Sequence, residues 1–162
     1  MSKSNFERMI QLAEDVFAVK NDPEQLEVDE SVLERLRQIH PATVSEYDDG
    51  NGPVAWMLLL PTTTMLMQQF LEHKISEKEL FEKTPLNATY DALYLCSAMV
   101  LEEYRRKGIA KRLLQDAITR IREDHPLKAL FVWAFTKEGD AGAELISKLT
   151  GLPLFKRVDG QN

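Results

Sequence analysis

Apolar side chains recur along this chain at two spacings, and the alternation between them divides it into helices and strands. From Asn5 to Lys20, Phe6, Met9, Ile10, Ala13 and Phe17 fall on one helical face, and Ser4 with Glu7 has the spacing of a capping box. Asn21-Asp22-Pro23 stops that helix. A polar, acidic linker leads to a second helix near Ser31 to Ile39, striped by Val32, Leu33, Leu36 and Ile39, with Ser31 and Glu34 at capping spacing and Pro41 as its end. Two β-like runs follow, Ala42 to Tyr47 and Val54 to Leu60, around the turn Asp48-Asp49-Gly50-Asn51-Gly52, which reads as a hairpin. Helical spacing returns over Thr62 to His73 through Met65, Leu66, Gln69 and Phe70. Ser76 and Glu79 open a further short helix that ends before Pro85.

The second half alternates strictly. Ala92 to Leu101 is a strand. A helix begins after Gly108 and carries the stripe Ile109, Ala110, Leu113, Leu114, Ala117, Ile118 and Ile121, closed by His125-Pro126. Ala129 to Phe135 is a continuous apolar run, as expected of a strand covered on both faces. Asp140 caps a last helix containing Leu145, Ile146 and Leu149, Gly151 ends it, and Leu154 to Val158 forms a final strand. This order predicts an α/β fold with parallel pairing around the strand at Ala92. No internal repeat or low-complexity tract interrupts it.

A length of 162 residues suits one domain, 1–162, with a single core. The net charge of −6 argues against nucleic acid as the main partner. The longest apolar run, Val54 to Leu60, is far short of the ~18 residues of a membrane span, so no membrane partner is expected. No apolar run follows Met1 to Asn5, and one cysteine, Cys96, lies inside a strand; both fit a reducing, cytoplasmic setting. His40, His73 and His125 make no metal-ligand spacing with each other or with Cys96, so no metal is expected. His40 and His125 precede prolines at helix ends, a structural position.

Against this acidic background, Arg105, Arg106, Lys107, Lys111 and Arg112 crowd around one glycine. The stretch from Leu93 to Leu114 passes from a β-run through Glu102-Glu103-Tyr104 to Arg105-Arg106-Lys107-Gly108-Ile109-Ala110 and into a helix. The N–H groups of a first helical turn lack internal partners, and the helix dipole favours negative charge there. Gly108 lets the main chain approach a ligand with no Cβ in the way. A basic knot in an acidic chain points to a specific phosphate-bearing ligand.

The segment from Ala98 to Leu114 closely resembles the acyl-CoA-binding motif of the GNAT superfamily of N-acetyltransferases. Its core, Arg/Gln-x-x-Gly-x-Gly/Ala, is matched by Arg105, Gly108 and Ala110. The resemblance implies a GNAT-like mixed central sheet flanked by helices, here with extra N-terminal helices and a helical insert, Thr62 to Thr84, before the central strand. It implies acetyl-CoA as acyl donor and direct transfer of the acetyl group to an amine. The main chain of Ala98, Met99 and Val100 would pair with the pantetheine arm where two strands splay. The amides from Arg106 through Lys107, Gly108, Ile109 and Ala110 to Lys111 would hold the pyrophosphate, with charge from Lys107, Lys111 and Arg112. A backbone N–H of the central strand would face the acyl carbonyl.

The chain departs from the family at the proton-transfer positions. Aligning Ala143 and Gly151 puts Ser147 where many members carry a tyrosine acid; the residue itself reads as a solvent-side helix serine. Counting back from Arg105 puts Tyr94 where histone-type members carry a glutamate base. Tyr94 and Glu46 are weak candidates for a base reached through water, and Tyr94 reads first as a half-buried strand tyrosine. Glu46, Asp48 and Asp49 read as a solvated acidic turn able to attract a cationic amine. Cys96 reads as a small core residue, and Met57, Met65 and Met67 as core or pocket lining. The chain therefore reads as an N-acetyltransferase acting on a small amine or a protein amine. A catalytically lapsed acyl-CoA-binding or sensor module is the alternative. A third reading is an interaction domain in which the apolar helix around Met65 to Phe70 docks another subunit, which leaves a homodimer open.

Overall fold

A computed structural model describes residues 3–20, 26, 28–133 and 137–158. Two helices lead, α1 (Asn5–Lys20) and α2 (Glu30–Ile39). The hairpin β1 (Val44–Asp48) and β2 (Pro53–Thr62) follows, then α3 (Thr64–Leu71) and α4 (Glu77–Lys83). The remainder is β3 (Ala92–Val100), α5 (Ile109–Asp124), β4 (Ala129–Val132), α6 (Lys137–Thr150) and β5 (Leu154–Lys156). The strands form one mixed sheet in the order β1-β2-β3-β4-β5. Pairing is antiparallel from β1 to β3 and parallel from β3 to β5. The expected α/β class, the leading helices and the helical insert between β2 and β3 are all present.

Both faces of the sheet are covered. Leu58, Leu60, Tyr94 and Phe131 share a core with Leu36 of α2, Phe70 of α3 and Leu80 of α4. Successive strand residues point to opposite faces. Leu59, Leu93 and Leu130 accordingly pack on the other side, against Ile118 and Ile121 of α5 and Ile146 of α6. Phe70 meets Tyr94, Phe131 and Trp133 edge-on, with centroids 5.2 to 6.0 Å apart. Helix α1 lies on the same face as α2, because Phe6 touches Trp56, whose side chain shares the parity of Leu58.

Several local readings hold and others shift. The capping boxes at Ser4–Glu7 and Ser76–Glu79 form as expected. At α2 the cap is Asp29, whose carboxylate takes the Val32 N–H at 3.0 Å and the Ser31 hydroxyl at 2.6 Å, so Ser31 is already inside the helix. Pro41–Thr43 forms a 3-10 turn, and the hairpin starts at Val44. Thr62 stays in β2, where its register with Ala92 and its hydroxyl contact with Thr84 (2.7 Å) hold it, so Thr63 caps α3. Helix α6 begins at Lys137, which places Asp140 within it, paired to Lys156 at 2.8 Å, and does not make it a cap. Strand β5 stops at Lys156. The stripes are narrower than their periodicity suggested: Phe6, Ile10, Met65, Leu145 and Leu149 are exposed. The stop at Asn21-Asp22-Pro23, the side chain of Phe17 and the strand end at Ala134 and Phe135 lie outside the described residues.

Two histidines join the far ends of the fold. His40 accepts the Ala42 N–H on Nδ1 (3.0 Å), which leaves Nε2 as the proton-bearing atom facing Asp124 at 2.6 Å. His125 caps α5 and packs against the rings of Tyr90 and His40. Burial, with His40 beside it, holds the His125 pKa below the ordinary histidine value. A depressed folded-state pKa means stability that is complete above the unfolded value of ~6.5 and is lost as pH falls through the folded value. The melting temperature should therefore fall between pH 7.5 and pH 5, and His125→Asn should flatten that slope. An equal slope in the variant, followed by calorimetry, would show that this ring does not carry it.

Candidate functional site

The site grows from an irregularity in β3. Leu58 pairs with Ser97 and Leu59 with Leu95, so Cys96 is the extra residue of a β-bulge. Cys96 is half-buried against the core, as expected of a small core residue. Strand β4 pairs with β3 only from Ala92 to Leu95. Beyond Leu95 no described strand covers that edge. The Leu101 N–H donates to the Val54 carbonyl at 2.9 Å, and bonded and non-bonded pairs alternate along an antiparallel ladder. Ala98 and Val100 therefore turn their N–H and C=O groups to the uncovered edge, whereas Met99 faces β2 opposite Trp56.

The chain leaves this edge through a 3-10 turn at Glu102–Tyr104 and enters the basic segment. Arg106 at φ 66° and Gly108 at φ 78° are left-handed, a backbone form that gathers successive N–H groups into an anion-binding hollow. The first helical bond of α5 runs from the Arg112 N–H to the Gly108 carbonyl at 3.0 Å. Among the described residues nothing accepts the main-chain N–H of Arg106, Gly108, Ile109, Ala110 or Lys111, while the turn at Arg105 and Arg106 closes on the Lys107 N–H. A Cβ built on Gly108 would meet no atom within 4 Å, so the space in front of the turn is open. Glycine is needed there for its positive φ. Arg106, Lys107, Lys111 and Arg112 are exposed around the turn, and α5 has no acidic residue in its first turn. Arg105 instead folds back, and its Nε–H donates to the Val100 carbonyl at 2.9 Å, tying the turn to the end of β3.

Residues distant in sequence hold this turn. The Tyr104 hydroxyl donates to Asp49 in the β1–β2 turn, and Lys107 lies over the Tyr104 ring, 5.4 Å from its centroid. Asn5 of α1 reaches the same Asp49 at 3.3 Å. Arg8 forks onto Glu103 with two contacts of 2.6 Å. These partners lower the pKa of Asp49, raise that of Tyr104 and hold Glu103 down at about 2. The acidic turn is thus a bonded element: Asp48 accepts the N–H groups of Gly50 and Gly52, and Asp49 that of Asn51. Sequence reasoning missed Asp49, Arg8 and Glu103 as supports because their partners lie tens of residues away.

The residues singled out for proton transfer stand apart. Tyr94 is buried, and its hydroxyl donates to Glu77 at 2.5 Å. The other oxygen of Glu77 accepts the Leu26 N–H at 2.5 Å. Burial first, then the Glu77 carboxylate, pushes the Tyr94 phenol well above its ordinary range. Glu46 is exposed on β1 and accepts the Trp56 indole N–H at 2.7 Å. Ser147 is half-buried and not solvent-side, because its hydroxyl donates to the Leu152 carbonyl at 2.5 Å beyond the helix end. Met57 and Met67 are buried in the core, but Met65 is exposed. His73 holds the C-terminal segment, with Nε2 2.6 Å from the Val158 carbonyl.

Residues 6–149 match the model of the acetyltransferase (GNAT) family, and the chain belongs to that family. No curated protein matches it in sequence. Arabidopsis thaliana NAA60 in complex with acetyl-CoA shares the fold at a TM-score of 0.52 and 14% identity, over 88% of this chain and 80% of that one. The NatB acetyltransferase complex bound to a bisubstrate inhibitor gives a TM-score of 0.49 at 14% identity, over 83% of this chain and 67% of the other. An aminoglycoside acetyltransferase from an uncultured soil metagenomic sample, in complex with trehalose, gives 0.47 at 18% identity, over 90% and 82%. No helix among the described residues is long and apolar enough to cross a membrane.

Gly108→Val puts a β-branched residue into a left-handed position at a cost of roughly 1–2 kcal/mol and re-aims the adjoining amides. CoA affinity measured by calorimetry should fall about tenfold or more. Undiminished affinity in a folded variant would contradict the role given to this turn.

Proposed function

We propose that the protein is an acetyl-CoA-dependent N-acetyltransferase that acetylates a primary amine, of a small molecule or of a protein, by direct attack on the thioester. The observation that carries this reading is the row of main-chain N–H groups from Arg106 to Lys111, of which five, all but Lys107, have no acceptor among the described residues. That row opens beside the uncovered edge of β3. The amides and the exposed Lys107, Lys111 and Arg112 suit the pyrophosphate. The main-chain groups of Ala98 and the N–H of Val100, whose carbonyl takes the Arg105 Nε–H, suit the amides of the pantetheine arm, as an added strand would. The single domain spans 1–162, and the lone half-buried thiol of Cys96 suits a cytoplasmic setting.

In the reaction the amine nitrogen bonds to the acetyl carbon, the carbon–sulfur bond breaks, and the thiolate leaves. The amine loses one proton and the thiolate gains one. The N–H of Ala98 faces the uncovered edge and is placed to meet the acyl oxygen as charge develops on it. Tyr94, buried and bonded to Glu77, does not offer a phenolate at neutral pH. Proximity and loss of amine hydration then carry most of the acceleration, and water carries the proton.

A second reading keeps the CoA site and drops the chemistry. It is favoured by Ser147, whose hydroxyl is committed to the Leu152 carbonyl and cannot serve as a thiolate acid. Calorimetry with acetyl-CoA, followed by thiol-release assays over an amine panel, separates the two. Acetyl-CoA binding with amine-dependent thiol release is expected. Binding without release from any amine would leave the sensor reading, and no binding would remove both.

A further inference from the structure

Nine of the ten residues of β2 are buried, and the exception is Trp56. The helical cover of this face therefore opens over one row of the sheet. The register identifies the row: Glu46 on β1 stands opposite Trp56, and Trp56 stands opposite Met99 on β3. Met99, like Trp56, is half-buried. Helix α1 flanks the row with Phe6, a large apolar side chain that is 56% exposed. Phe6 touches the Trp56 ring edge-on at 6.1 Å. At the outer end, one oxygen of Glu46 takes the Trp56 indole N–H. Glu46 forms no ion pair with a described residue. At the inner end the row reaches the edge of β3 that β4 leaves uncovered.

We infer that this row is an acceptor trough for an extended α,ω-diamine, with Glu46, oriented by the Trp56 indole N–H, holding the ammonium group that is not acetylated. Three features select that chemistry. The floor and flank are apolar, which suits a methylene chain. The far end carries a carboxylate at the N–H edge of the indole ring, one oxygen held by that N–H and the other able to take an ammonium group by a charge-assisted hydrogen bond. The length follows from the sheet: two strand spacings separate Glu46 from the β3 edge, about 10 Å. A monoamine leaves the carboxylate without a cationic partner, and a short diamine cannot reach both ends. The inference rests on the transferase reading for which nitrogen is acetylated. The near nitrogen, deprotonated, bonds to the acetyl carbon as the thiolate leaves, and the products are the mono-N-acetyl diamine and CoA.

The test compares 1,7-diaminoheptane with 1,3-diaminopropane and n-heptylamine, in wild type and in Glu46→Gln. Glutamine keeps an oxygen for the Trp56 N–H and removes only the charge. The wild type should prefer the long diamine over both others in kcat/KM by about tenfold or more, and Glu46→Gln should erase that preference. Calorimetric binding of 1,7-diaminoheptane is the second arm and does not depend on turnover. Binding that weakens about tenfold in Glu46→Gln upholds the trough even if no acetyl group moves, a result that would count against the transferase reading alone. Equal kcat/KM for the long diamine and n-heptylamine, a preference untouched by Glu46→Gln, or diamine binding indifferent to the variant would each overturn it. So would a lysine peptide strongly preferred over every diamine.

Discussion

The structure depends on a turn that leaves its own hydrogen-bond donors unused. Main-chain N–H groups in folded proteins are almost always satisfied, and an exposed run of open ones is held in place by its surroundings. Here five of the six from Arg106 to Lys111, all but Lys107, have no acceptor among the described residues, and two left-handed residues set their direction. The basic side chains around them add charge, but the main chain supplies the geometry. That is why the site sits in a protein of net charge −6 with no contradiction.

The remainder of the molecule serves to fix that turn against the sheet. Arg105 ties it to Val100, Tyr104 ties it to Asp49, and Glu103 ties it to Arg8. Three elements separated in sequence, α1, the hairpin turn and β3, thus meet at the lead-in to α5. On the sheet itself the bulge at Cys96 and the early end of β4 leave main-chain groups of β3 uncovered beside the turn. An open row of amides and a strand edge next to each other are the groups on which the proposed CoA site is built.

Much of this was legible in the sequence. The stripe of α5, the capping box at Ser76, the buried run at Ala129 and the Gly108 turn follow from local spacing, and local spacing survives folding. The family resemblance rested on contiguous residues, and the match over residues 6–149 agrees with it. What could not be read was set by tertiary contact. The Ser31 and Asp140 caps failed because Asp29 competes for the first and the second helix starts upstream. Tyr94 and Asp49 gave no sign of their partners, since Glu77 and Tyr104 lie far from them in sequence and meet them only in the fold. The exposure of Phe6, Ile10 and Leu145 shows a further limit: periodicity identifies an apolar stripe but not how much of it a neighbour covers.

The central claim is that main-chain amides at the start of α5 hold the diphosphate of CoA. Amide-resolved nuclear magnetic resonance of 15N-labelled protein titrated with CoA tests it at the atoms concerned. The account expects the Arg106 to Lys111 amide signals to shift together, saturably, and to gain protection from hydrogen exchange, with Ala98 and Val100 following when the pantetheine arm is present. Saturable binding that moves amides elsewhere and leaves Arg106 to Lys111 unchanged would contradict it.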